Sequence, residues 1–152
     1  MIPKEKQITS AEAILRSLSV QGIKYLFANY GTDHTPLIEA AAKIRRSDGK
    51  MPEIVVCPHE FVAISAAHGY AAATGEPQAV LVHVDVGTQN LGAGMHNAHR
   101  SNIPVVVMAG LAPVSDLGNK GSRDHVVHYL QDTFQQIGIV REYCRWASEY
   151  RP

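Results

Sequence analysis

The chain has 152 residues, of which 45% are hydrophobic and 18% charged, enough apolar material for one domain with its own core and a composition that excludes a disordered chain. Fourteen basic and fourteen acidic residues cancel to a formal net charge of zero, which argues against a surface built for nucleic acid or anionic membrane. No apolar run approaches the roughly 20 residues of a membrane-spanning helix. Residues 1–9 are polar and lack the apolar centre of a signal peptide. Cys57 and Cys144 stand far apart without a Cys-x-x-Cys pair, so they read as reduced thiols of a cytoplasmic protein.

Taken in order, Thr9-x-x-Glu12 is a capping-box pattern that opens a helix carrying Ile14, Leu15 and Leu18, and Gly22 ends it. Residues 24–28 predict a short strand, and Asn29-Tyr30-Gly31-Thr32-Asp33-His34 is the loop at its carboxyl end. Thr35-Pro36 begins a helix that runs to about residue 46, with proline at its favoured first position. Ser47-Asp48-Gly49 is a turn, residues 53–57 a second strand and residues 60–74 a helix closed by Gly75. A third strand covers residues 78–83. Residues 84–88 form its exit loop, a helix follows over about residues 89–99, and residues 103–109 are a fully apolar fourth strand. A long loop covers 110–124, with Pro113, Gly118, Asn119 and Gly121. The tail over 125–146 is amphipathic, and the last residues read as the start of a linker to a further part.

Strands alternating with helices of about 10 to 15 residues predict an α/β fold, a parallel sheet with helices on both faces in a single domain over 1–152. The run Val105-Val106-Val107-Met108 suits a sheet covered on both sides. Ligands of such sheets collect beyond the carboxyl ends of the strands. Four chemically unusual stretches fall there: 29–34, 58–60, 83–90 and 110–124.

The helix after the second strand is small and apolar throughout, so it is buried in a core or an interface, and its one acid is Glu60 in the first turn. There the helix dipole favours the charge, while the apolar neighbours Phe61, Val62 and Ile64 favour the neutral form. Glu60 is therefore either a plain first-turn charge or a tuned acid–base group. His83, at the end of the third strand, is either a proton carrier or an imidazole packed at the sheet edge. Gly31 reads on its own as a turn residue supplying a positive φ. His96 with His99, and His125 with His128, have a spacing that could bind metal, but no Cys or acid stands at a matching distance, so no metal site is expected. Ser65 and His68 lack a Gly-x-Ser-x-Gly elbow, Gly-x-Gly-x-x-Gly is absent, and Gly87-x-x-x-x-Gly92 continues as Ala-Gly, not as a phosphate loop. Gly92 and Gly94 read as positions of close helix approach.

The pattern His59-Glu60, small residues, Gly69-Tyr70-Ala71 and Thr74-Gly75 resembles the glutamate helix of thiamine diphosphate enzymes, in the pyrimidine-binding domain of the acetolactate synthase and benzoylformate decarboxylase type. The likeness covers nearly the whole chain. Asn29-Tyr30-Gly31-Thr32 resembles that family's Asn-Pro-Gly-Ser turn, which makes Asn29 and Gly31 cofactor-side residues and Thr32 the candidate for the substrate carboxylate. Residues 83–90 resemble its glycine–asparagine turn, which adds Gly87 and Asn90 to the cofactor side and matches His83 to a proton-transfer histidine. Asp85 departs from the pattern; it could pair with a histidine or exclude an acidic substrate.

The resemblance implies that Glu60 passes a proton to the cofactor's aminopyrimidine in a decarboxylase or carboligase acting on a 2-oxo acid. It further implies that the diphosphate and its Mg²⁺ belong to a separate domain marked by Gly-Asp-Gly, to which Ser47-Asp48-Gly49 is only a misplaced near match. The expected partners are a homodimer or tetramer and that diphosphate domain, on the same or another chain. The alternative is a non-catalytic oligomerisation domain of the same fold, in which Glu60 is a relic.

Overall fold

The computed structural model describes residues 7–116, 118 and 121–150. Four strands, Tyr25–Ala28 (β1), Glu53–Val56 (β2), Gln78–Val82 (β3) and Val105–Ala109 (β4), form a wholly parallel sheet in the order β2-β1-β3-β4. Phe27 stands level with Val55 on one side and Val80 on the other, and Val80 level with Val107. β3 is buried at all five positions, as an inner strand covered on both faces must be. Its one polar residue is satisfied: Gln78 Oε1 accepts from the Tyr25 amide at 2.7 Å and Nε2 donates to the Glu76 carbonyl at 3.1 Å.

Helices Ser10–Val20 (α1) and Thr35–Arg46 (α2) cover one face, closing a core of Leu15, Leu26, Ala28, Ile44 and Leu81. The capping box forms as expected. Glu12 accepts from the Thr9 amide at 3.1 Å and takes Lys43 Nζ of α2 at 2.9 Å, so one carboxylate caps α1 and ties it to its neighbour. Gly22 follows α1 at φ 83° and Gly75 caps Glu60–Thr74 (α3) at φ 75°, both in the left-handed region. The opposite face holds α3, Val84–Asn90 (α4) and Gly92–Arg100 (α5) around Ala63, Ile64, Val80, Val82, Leu91 and Met95.

Two expectations change. β3 stops at Val82, and the stretch expected as an exit loop is α4, so the single helix expected beyond it becomes two, α4 and α5, separated at Leu91. Gly87, Thr88 and Asn90 are poor helix formers. The helix holds through packing and through Thr88, whose Oγ1 donates to the Val84 carbonyl at 2.6 Å and accepts from Gln136 Nε2 at 3.0 Å. β4 is an edge strand among the described residues, so its Val106 is 41% exposed despite the apolar run. The tail forms only the short helix Val126–Leu130 (α6) and two single 3₁₀ turns, Gln136–Ile139 and Arg141–Tyr143.

Gly94 is where α5 meets α3. A Cβ there falls well inside van der Waals contact with Cγ2 of the buried Ile64, and a β-branched side chain cannot swing aside. Gly92 has open space, so only one of the two helix glycines serves close approach. Gly94→Ala should therefore destabilise the fold by about 1–3 kcal/mol, although alanine at an open helix position gains close to 1 kcal/mol over glycine. Gly69, with nothing near its missing Cβ, should gain about 0.5–1 kcal/mol as alanine. Urea unfolding of the two variants reads opposite signs.

Candidate functional site

After β1 the chain passes to α2 on one face; after β3 it passes to α4 on the other. The two connections part between adjacent strands and leave a crevice at their carboxyl ends, the place where open α/β sheets bind ligands. His34 stitches the crevice together. It is 1% exposed, its Nδ1 accepts from the Gly31 amide at 3.1 Å, and its Nε2 donates to the Val82 carbonyl at 3.0 Å. The Asn29 amide adds a bond to the Leu81 carbonyl at 2.9 Å.

Glu60 opens α3 after the short turn from β2 and is 9% exposed. His59 is the N-cap, its Nδ1 accepting from the Phe61 amide at 3.1 Å. Asn90 Nδ2 donates to Glu60 Oε2 at 3.0 Å, and a Cβ on Gly87 would lie 3.3 Å from Oε1. The structure thus brings together Glu60, Gly87 and Asn90, three of the residues singled out from the sequence. Of the apolar neighbours expected around the carboxyl, only Ile64 is buried; Phe61 and Val62 are 40% and 45% exposed, because they sit on the outer face of α3.

His83 is the N-cap of α4, one turn before Gly87, whose amide donates to its carbonyl at 3.0 Å. The next residue, Val84, is buried with φ 36°, a left-handed backbone that a β-branched residue adopts only under strain of about 1–3 kcal/mol. That one residue turns the chain from strand into helix. His83 Nδ1 lies 2.6 Å from Asp33 Oδ1, and Gln131 Nε2 lies 3.1 Å from His83 Nε2. Gly31 is extended, with φ −137°, so its expected positive φ is absent. It is glycine for room: a Cβ there would overlap the His83 ring.

The remaining candidates divide. Asn29 Nδ2 donates to the Cys57 carbonyl at 3.0 Å, joining the ends of β1 and β2. Thr32 is exposed at the start of the 3₁₀ turn Thr32–His34. Among the described residues Asp85 has no histidine partner, a role that falls to Asp33, and its Oδ1 is buried without a hydrogen bond. His96 and His99 both present their rings to Tyr143, at 5.8 and 6.2 Å between centroids. Burial raises the thiol pKa of both cysteines, which favours their protonated form. Asp33 and Gln131 are the functional candidates missed from sequence. Asp33 had a signal, as the one acid of the 29–34 loop; Gln131, 48 residues from His83, had none.

Burial pushes the pKa of His34 below the usual histidine value, with the Asp33 charge opposing it. The unfolded chain therefore binds more protons than the folded one just below pH 6.5, so stability is full above that value and falls as pH drops through it. The urea midpoint should decline on acidification, and the slope should flatten in His34→Gln.

Residues 8–139 match the family model described as "Thiamine pyrophosphate enzyme, N-terminal TPP binding domain", and the chain belongs to that family. It is 33% identical over 135 residues to the acetolactate synthase isozyme 3 large subunit of Escherichia coli (strain K12), and 30% identical over 134 residues to the acetolactate synthase of Arthrospira platensis. These alignments cover 89% and 88% of the chain and 21% of each relative, so the chain spans about a fifth of their length. The fold is shared with a Rhodococcus jostii RHA1 thiamine diphosphate-dependent 4-hydroxybenzoylformate decarboxylase, at a TM-score of 0.71 and 22% identity over 93% of this chain and 24% of that one.

Proposed function

We propose that the chain is the pyrimidine-binding half of a thiamine diphosphate-dependent decarboxylase or carboligase acting on 2-oxo acids, with Glu60 as the carboxyl that meets the aminopyrimidine. The supporting observation is the setting of Glu60. It is a nearly buried acid whose Oε2 is fixed by Asn90 while Oε1 faces the space left by the missing side chain of Gly87. A carboxyl so held fits a flat ring nitrogen that needs a proton held or moved. When bound, the cofactor supplies the nucleophilic carbon and the electron sink. Glu60 holds the proton at the pyrimidine, His83 Nε2 exchanges protons with substrate, and the exposed Thr32 meets a substrate carboxylate. Asn29 and Gly31 stand on the cofactor side.

In this reading Mg²⁺ and the diphosphate are held by another domain, the assembly is a dimer or tetramer in the cytoplasm, and the exposed Phe61 and Val62 beside Glu60 belong to a subunit contact. Val62→Glu should lower the mass seen by light scattering toward that of a single chain.

The decisive experiment joins the chain to its diphosphate-binding domain. Glu60→Gln should cost about a hundred- to ten-thousandfold in turnover with an unchanged melting temperature, and His83→Ala should cost less. Near-normal proton exchange at the reactive carbon of the bound cofactor in Glu60→Gln would remove Glu60 from this role and leave it as a first-turn helix charge.

A further inference from the structure

We propose that Asp33 is the positioning residue for His83, holding its imidazole as the neutral tautomer with the proton on Nδ1 and a bare Nε2 facing the crevice. The inference rests on His83 being the proton carrier proposed above, and names the group that decides which nitrogen can carry the proton.

One neighbour imposes this tautomer and a second accords with it. An ionised carboxylate only accepts, so the 2.6 Å contact with Asp33 Oδ1 requires His83 Nδ1 to donate. The Gln131 amide nitrogen donates, so the 3.1 Å contact accords with an accepting His83 Nε2, although the amide can turn end for end and offer its oxygen instead. The second contact also marks where a substrate proton donor would stand. With the proton on Nε2 instead, the nitrogen facing the crevice could not take one.

The pair is held from both sides by backbone. A Cβ on Gly31 would overlap the His83 ring, and a Cβ on Gly110, at the exit of β4, would overlap the Asp33 carboxylate. Asp33 and His83 side chains are 11% and 24% exposed, so water competes weakly for their hydrogen bond. Asp33 Oδ2 is buried and makes no hydrogen bond, although it lies 3.2 Å from His34 Nε2, whose proton goes to the Val82 carbonyl. Asp33 is therefore not anchored for its own sake; among the described residues, the one side-chain hydrogen bond it makes is to His83.

The test reads the tautomer directly, by long-range ¹H–¹⁵N correlation of the imidazoles in the labelled chain at mildly alkaline pH, with no cofactor present. His83 should carry its proton on Nδ1. In Asp33→Asn the amide should turn its NH₂ toward His83 Nδ1 and its oxygen toward His34 Nε2–H, moving the His83 proton to Nε2. Gln131→Ala should leave the proton on Nδ1. A proton on Nε2 in the unsubstituted chain overturns the proposal even if Asp33→Asn does not fold. So does an unchanged tautomer in a folded Asp33→Asn, or a switch in Gln131→Ala, which would give the positioning role to Gln131. In the complete enzyme, loss of turnover in His83→Ala without a tautomer change in Asp33→Asn sinks this inference and leaves the proton-carrier reading standing. A tautomer change with normal turnover in both variants supports the positioning and sinks the carrier reading.

Discussion

The buried imidazole of His34 is the constraint on which the crevice depends. Its two ring nitrogens use opposite chemistry, one accepting from the loop after β1 and the other donating to the last carbonyl of β3. Only the neutral Nε2–H form can do both. Among the described residues, two strand ends that send their chains to opposite faces of the sheet would otherwise be joined by strand hydrogen bonds and the Asp33–His83 pair. Because His34 fixes their separation, Asp33, on the same short turn, arrives beside His83, and His83 in turn stands one helical turn from the glycine against which Glu60 rests.

Three glycines do the complementary work through absent volume. Gly31 makes room for the His83 ring, Gly110 for the Asp33 carboxylate and Gly87 for Glu60. None of the three has a left-handed backbone, in contrast to Gly22 and Gly75 at the helix ends. Glycine at a helix end frees the chain to turn; glycine at this site lets polar side chains approach the backbone closely in a low-dielectric place. The strain at Val84 belongs to the same economy of space, since a gradual bend would carry His83 away from β1.

The sheet was legible because its strands are short apolar runs bounded by turn residues, and both the capping box at Thr9 and the glycine after Thr74 behave as local rules require. Helix α4 was not, because its sequence, Val-Asp-Val-Gly-Thr-Gln-Asn, carries no helical periodicity and its stability is tertiary. Glu60, Gly87 and Asn90 could be named from sequence pattern and do converge. The pairing of His83 could not: Asp33 lies fifty residues earlier in the chain, and only the strand order makes them neighbours. The exposure of Phe61 and Val62 was hidden for another reason. A helix apolar on all sides does not say which side faces the sheet.

Gln136 gives the fold an order in time. Its amide spans Thr88, 48 residues earlier, and the Gly110 carbonyl, 26 residues earlier, and Gln131 reaches back 48 residues to His83. Chains emerge from the ribosome from the amino end at about 5–20 residues per second. Sheet, crevice and both acids are therefore all synthesised before the residues that brace α4 and contact His83. The residues that brace α4 and contact His83 thus come last in the chain, and the segment that carries them closes on a crevice whose other walls precede it.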